Sequence, residues 1–157
     1  MDHMNKHARG HYVMLAVMTL LMFISMYVLM YAMVDKFGDV YTNYNQFYMA
    51  ALMTAPMVLI ELALMWAMYL NKKWNILIIA VSLVAFAGSF YAIRSQAAIS
   101  DTQFLKSMIP HHSSAILMCR EASIQDLQIK DLCSRIMKGQ QGEIDEMNAK
   151  LKELENK

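Results

Sequence analysis

Two histidines and two methionines in the last third of the chain have the types and spacing of a metal site. They occur as Met108-Ile109-Pro110-His111-His112, with Met118 following about one and a half helical turns later. On a helix, residues three and four apart are neighbours, so Met108, His111 and His112 project toward one side. Thioether and imidazole donors together favour Cu(I) and its mimic Ag(I) over calcium or magnesium. The pattern therefore predicts a soft-metal site.

Long apolar stretches precede this motif and predict a membrane anchor. Residues 12–34, 47–70 and 74–93 each have the length of about 20 residues that a helix needs to cross a bilayer. The first and third stretches contain no charged residue, and the second contains only Glu61. We therefore predict an all-α protein with a short N-terminal segment, three transmembrane helices and a helical hairpin. The corresponding boundaries are 1–11, 12–93 and 94–157.

The distribution of basic residues predicts the orientation in the membrane. Lysine and arginine accumulate on the cytoplasmic side of membrane proteins. The basic residues near the span ends are Lys6, Arg9, Lys72 and Lys73 on one side, and Lys36 and Arg94 on the other. This bias places the N-terminus in the cytoplasm and the tail outside, which in a bacterium is the periplasmic side of the inner membrane. A net charge of +1 and the lack of a basic aromatic stripe argue against nucleic acid as a partner.

The charged tail has the pattern of two helices joined by a short break. Ser100-Asp101-Thr102-Gln103 has the form of a capping box, and the helix it opens should reach about residue 122 or 123. A break at 124–126 is followed by a second amphipathic helix to about Leu154. A hairpin folded at residue 126 pairs positions whose numbers sum to about 252. His111 and His112 then face Gln140 and Gln141, with Glu143 close by.

The same register places the two cysteines of the chain opposite each other. Cys119 and Cys133 fall on the two inner faces of the predicted hairpin. In an oxidising compartment they would form a disulfide, and in a reducing one they would be two soft metal ligands. They could also be two small buried residues. Because a hairpin of this size buries little core, a homodimer forming a four-helix bundle is the simplest way to complete it.

The motifs of the tail together resemble a known family. Asp101-x-x-Phe104-x-x-x-Met108-Ile109-Pro110-His111-His112-x-x-Ala115-Ile116-x-Met118, followed by Gln140-x-x-Glu143-Ile144-x-x-Met147, is similar to the domain of unknown function 305 family. The whole chain resembles the variant in which three spans precede one copy of the domain. The resemblance implies a ferritin-like bacterial domain, export to the periplasm, and copper or silver binding and tolerance. The ligands it implies are Met108, His111, His112, Met118, Glu143 and Met147.

Methionine is concentrated in the first two spans. Of 17 methionines, six lie in the first span and five in the second, while the third has none. One interpretation is that they fill the interface between two helices. The other is a membrane path for a soft metal, with Glu61 as its polar point, since an ionisable residue inside a span is costly to bury. The residues of that path would be Met18, Met22, Met53, Met57 and Glu61.

We therefore expect a membrane protein that contacts the lipid bilayer and binds copper or silver ions without an organic cofactor. Its role would be sequestration, delivery or tolerance of the metal rather than catalysis. A ferritin-like metallo-oxidase is one alternative, disfavoured because the Glu-x-x-His pairs that hold two irons in such bundles are absent from the sequence. A metal-independent adaptor, whose hairpin docks a protein partner, is the other.

Overall fold

The computed structural model describes the backbone of residues 2–156 and the side chains of residues 10–156. Within this part of the chain the fold is entirely helical, as predicted. The side chains of Lys6 and Arg9, on which the predicted orientation partly depends, lie outside the described residues. Two short 3-10 turns, Met30–Met33 and Phe37–Asp39, follow the first helix. The five helices are α1 (Asp2–Leu29), α2 (Tyr44–Leu64), α3 (Lys72–Ser95), α4 (Asp101–Glu121) and α5 (Leu127–Glu155).

Three segments are long and apolar enough to cross a membrane. They are Gly10–Met33, Tyr44–Leu64 and Lys72–Ser95. The second ends six residues before the predicted boundary at residue 70, although the sequence stays apolar there. The chain turns after Leu64, and α3 then starts at Lys72; its N-cap is Asn71, whose side chain accepts hydrogen bonds from the backbone N–H groups of Lys73 and Trp74. An N-cap of this kind satisfies donors at the helix start that would otherwise be unpaired.

The chain divides into two compact units whose boundaries differ from the predicted domains. The first unit comprises Met1–Leu29 and Phe47–Ala97, and we call it the membrane unit. The second comprises Met30–Gln46 and Ala98–Lys157. The segment 30–46, which we call the strap, was predicted to be only a connection between two spans. It belongs instead with α4 and α5, because its side chains and backbone bond to them.

The membrane unit has a small core where α1 meets α2. Leu15, Val58, Leu62 and Tyr69 are buried there. A polar network lies beside this core, in which the Tyr12 hydroxyl donates to Asn75 Oδ1 over 2.7 Å. The side-chain amide of Asn75 donates in turn to the backbone oxygen of Tyr69 over 2.8 Å. A buried asparagine needs such partners because an unpaired amide away from water is costly.

The second unit is built around the predicted hairpin. Ser100 caps α4 by accepting from the backbone N–H of Gln103, and Asp126 caps α5 by accepting from those of Gln128 and Ile129. The predicted helix boundaries are therefore confirmed to within a few residues. Apolar side chains from both helices form one core, with Tyr41 of the strap packed against it. The buried members of this core are Ile109, Ile116, Ile144 and Leu151.

Candidate metal site

A disulfide joins α4 to α5 near the turn of the hairpin. Cys119 and Cys133 form this bond, and their Cα atoms lie 5.2 Å apart. Their numbers sum to the value expected for a hairpin folded at residue 126. Of the alternatives for this pair, the structure contains the covalent cross-link. Because both sulfur atoms are used in it, neither is a thiolate ligand for a metal in this form of the protein.

The ring of His112 is held from both sides. Its Nδ1 atom lies 2.8 Å from the backbone oxygen of Met108, one turn earlier on α4. Its Nε2 atom lies 2.8 Å from Oε2 of Glu143 on α5. A carbonyl oxygen only accepts hydrogen bonds, so Nδ1 carries a proton, and Nε2 is the atom that meets the carboxylate. In metal-binding histidines one nitrogen often donates to a backbone oxygen while the other holds the metal; here that second nitrogen contacts the Glu143 carboxylate.

The contact between His112 and Glu143 fixes the local register of the two helices. Met108 lies one turn before His112, and Met147 lies one turn after Glu143. Because α4 and α5 run antiparallel, this places Met108 and Met147 at the same level of the hairpin. Both methionines are partly buried, and Met147 packs against the apolar core. Gln140 and Gln141 were predicted to face the histidines, but Glu143 is the residue that contacts His112.

The other two predicted ligands of α4 are placed differently. His111 is exposed, and its ring centroid lies 6.0 Å from that of His112. Met118 is 51% exposed and lies seven residues after His111, about 10 Å further along the helix axis. That distance is too large for Met118 to share an ion with His111. Of the six ligands that the resemblance implied, the structure brings the His112 ring into contact with Glu143 and places the His111 ring beside it, while Met118 lies further along α4.

The chemistry of this group decides which ion it suits. Among the side chains that the structure describes, no three of the histidine, cysteine, aspartate and glutamate type come together as a metal-binding group. A site at His112 therefore depends on the thioethers of Met108 and Met147. Two thioethers, two imidazoles and a single carboxylate match a soft monovalent ion, whereas Zn²⁺ usually takes several imidazole, thiolate or carboxylate ligands. The donor set fits Cu(I) or Ag(I).

The strap binds the face of α4 that carries Ser113 and Arg120 and points away from Met108. Ser113, which is completely buried, donates to Asp39 Oδ2 over 2.6 Å and accepts from the backbone N–H of Asp35 over 3.0 Å. Arg120, two turns further along α4, forms an ion pair with the Asp35 carboxylate. The pKa of the Arg120 guanidinium is raised, chiefly by its hydrogen bond with Glu121. Burial lowers this pKa in part, and the negative charge of Asp35 raises it further. Because Ser113 follows His112 directly, the strap is bonded to α4 at the residue next to the candidate site.

The strap makes two further contacts with α5. Lys36 donates through Nζ to Gln141 Oε1 over 3.0 Å, and the Tyr41 hydroxyl donates to Asn148 Oδ1 over 2.9 Å. None of these strap contacts was predicted from the sequence, where Lys36 was noted only for its charge. A partial indication of the strap's binding surface is the polar row of Ser113 and Arg120, which are seven residues apart on the face of α4 away from Met108.

The residues of the predicted membrane path differ in their exposure. Met18 and Met53 are 39% and 40% exposed, and Met57 is partly buried. Met22 packs against the apolar core between α1 and α2. Glu61 is partly buried and accepts a hydrogen bond from the Tyr69 hydroxyl. At least one member of the proposed path therefore serves helix packing.

Comparisons with known proteins give a family and one relative. The model of the family described as Domain of unknown function (DUF305) matches residues 90–154. An uncharacterized protein of Acanthamoeba polyphaga mimivirus is 40% identical over 128 residues, which cover 78% of this chain and 82% of that protein. The aligned length therefore extends well beyond the tail and into the membrane unit. No solved structure matches the chain.

Proposed function

The chain belongs to the family described as Domain of unknown function (DUF305), whose model matches residues 90–154 and so includes His112, and we propose that it is a membrane-anchored soft-metal-binding protein. Its cargo is Cu(I), with Ag(I) as a chemical mimic. The residues that would hold the ion are Met108, His111, His112 and Met147, with Glu143 beside them. The protein would sequester or deliver the metal and so provide tolerance to it.

The orientation of the His112 ring carries this proposal. Its Nδ1 atom is engaged by the backbone oxygen of Met108, so the ligand atom is Nε2, which points toward α5. Nε2 can hold a metal ion only while it carries no proton, because a protonated ring nitrogen has no lone pair to offer. The side chain of Glu143 is 59% exposed and is free to turn toward solvent or toward the ion.

The disulfide supports a location outside the cytosol. Disulfides persist in oxidising compartments and are rare in reducing ones. In a bacterium the corresponding location is the periplasmic side of the inner membrane, with the N-terminus in the cytoplasm, as the lysine and arginine bias predicted. One relative is encoded by a virus, and in a host cell the corresponding location is the side of a membrane that faces an oxidising compartment. A homodimer that pairs two hairpins into a four-helix bundle remains part of this proposal.

The test is a silver and copper titration of the full-length protein in detergent. We expect binding with a Kd of about 1 µM or tighter, and a loss of about tenfold or more in the His111→Ala/His112→Ala double variant. His11→Ala is the matched control, since His11 belongs to the membrane unit and lies far from α4 in the sequence. Unchanged affinity in the double variant would end the proposal.

A further inference from the structure

Glu61 is the only acidic residue within the three spans, and one of its oxygen atoms lacks a partner. Its Oε1 atom accepts a hydrogen bond from the Tyr69 hydroxyl over 3.2 Å. Its Oε2 atom is buried and has no hydrogen-bond partner. A buried carboxylate oxygen without a partner is costly, so its presence in a membrane helix calls for a function. The function of the hairpin site does not involve this residue.

Tyr69 is itself held in place, which fixes the geometry of the carboxylate. Its side chain is 5% exposed, and its ring packs against that of Tyr12 with a centroid distance of 5.3 Å. The backbone oxygen of Tyr69 accepts from the amide of Asn75, which is 1% exposed. Since Tyr69 donates to Oε1 from a fixed position, Oε2 is left as the atom available to a ligand.

Two thioethers flank the carboxylate on the same helical face. Met57 lies one turn before Glu61 and Met65 one turn after it, each about 6 Å away along the helix axis. The backbone N–H of Met65 donates to the backbone carbonyl oxygen of Glu61 over 2.9 Å, so the helical spacing continues past the end of α2. Met57 is partly buried and Met65 is 39% exposed. Both flexible side chains can therefore turn toward the oxygen between them.

The charge of the carboxylate selects among cations. A monovalent ion beside one carboxylate leaves no net charge, whereas a divalent ion leaves a positive charge in a hydrocarbon environment, which is costly. Thioethers on both sides favour a soft ion over sodium or potassium. We propose that Glu61, Met57 and Met65 form a second binding site for a soft monovalent cation, Cu(I) or Ag(I), within the membrane unit. This site is separate from the one at His112.

The experiment measures silver bound by the full-length protein in lipid nanodiscs. The background is His111→Ala/His112→Ala, which removes the hairpin site, and we expect it to retain about one silver ion per chain. Adding Glu61→Gln should abolish this remaining binding. Glutamine preserves the size of the side chain and an oxygen that accepts from Tyr69, so the membrane unit should keep its fold. Met57→Leu/Met65→Leu is a second variant, and we expect it to weaken silver binding by about tenfold or more.

Met49→Leu is the matched control, because Met49 lies on the same helix three turns from Glu61 and is 39% exposed. It should bind silver like the background. The inference is overturned if the background binds no silver, or if Glu61→Gln binds as much as the background. Glu61→Gln in the otherwise unchanged protein separates the two proposals. It should lose only the membrane-unit ion, while failure of the hairpin proposal would appear as unchanged binding in the histidine double variant.

Discussion

His112 Nε2 and Glu143 Oε2 lie 2.8 Å apart and join the two helices of the hairpin at the proposed metal site. A ring nitrogen that carries a proton has no lone pair for a metal ion. A metal ion at Nε2 must therefore compete with protons for this atom. The competition gives the site a pH dependence of known sign.

Silver affinity should fall as the solution is acidified. Between about pH 7.5 and about pH 5.5 we expect the affinity to fall, because protons compete with the metal ion for its ligand nitrogens. The measurement is a competition titration at both pH values with the full-length protein. His11→Ala should show the same dependence as the unaltered protein. Equal affinities at the two pH values would contradict a histidine ligand.

Removing the disulfide should destabilise the hairpin. The bond closes a loop with a sequence separation of 14 residues, for which the chain-entropy estimate is about 3 kcal/mol. The free energy of unfolding of Cys119→Ser/Cys133→Ser, measured with denaturant, should fall by roughly that amount. Ser134→Ala, at an exposed position of α5, is the control and should be neutral. Two reactive thiols in the unreduced protein would show that the cross-link does not form.

Breaking the bond between Ser113 and Asp39 should loosen the strap. Ser113→Ala leaves a mostly buried carboxylate oxygen of Asp39 without its donor, at a cost of about 1–3 kcal/mol. Ser114→Ala is the matched control, because Ser114 donates only within its own helix, to the backbone oxygen of Pro110. Denaturant unfolding and proteolysis of the segment 30–46 measure the effect. Equal stability of the two variants would mean that the strap contact contributes nothing.

Tyr41 should contribute to the stability of the hairpin through both its ring and its hydroxyl. Tyr41→Phe removes only the hydrogen bond to Asn148 and should cost about 1 kcal/mol. Tyr41→Ala also removes the ring that packs against the core and should cost about 3 kcal/mol or more. Comparing the unfolding free energies of the two variants separates these contributions. Two equal values would show that the ring does not cover the core.

The parts of the fold that were predicted correctly are those with local signals. The spacing of apolar residues and the caps at Ser100 and Asp126 determine α4 and α5, and the turn between them sets the level of Cys119 and Cys133. The three long apolar segments were equally clear from length and composition. These signals depend on neighbours in the sequence, so no knowledge of distant contacts was needed.

The parts that were missed depend on contacts between distant residues. The contact of Ser113 with Asp39 joins residues 74 positions apart, and the strap has no periodic sequence pattern from which this contact could be predicted. The end of α2 was placed too late because residues 65–70 are as apolar as the helix before them. Met118 shares a helical face with His111, but the seven-residue spacing places it about 10 Å further along the axis, which the ligand set implied by the resemblance did not take into account.

In the membrane arrangement proposed above, the strap and the tail lie on the same side of the lipid bilayer, because they pack into one unit. The polypeptide between them must then cross that barrier an even number of times, which α2 and α3 together allow. The strap is synthesised before α4 and α5, the helices to which it binds. Its acidic and aromatic side chains can therefore make these contacts only after α2 and α3 have been inserted. A chain in which either helix failed to insert would leave the two halves of this unit in different compartments. Assembly of the unit thus acts as a check on correct membrane integration.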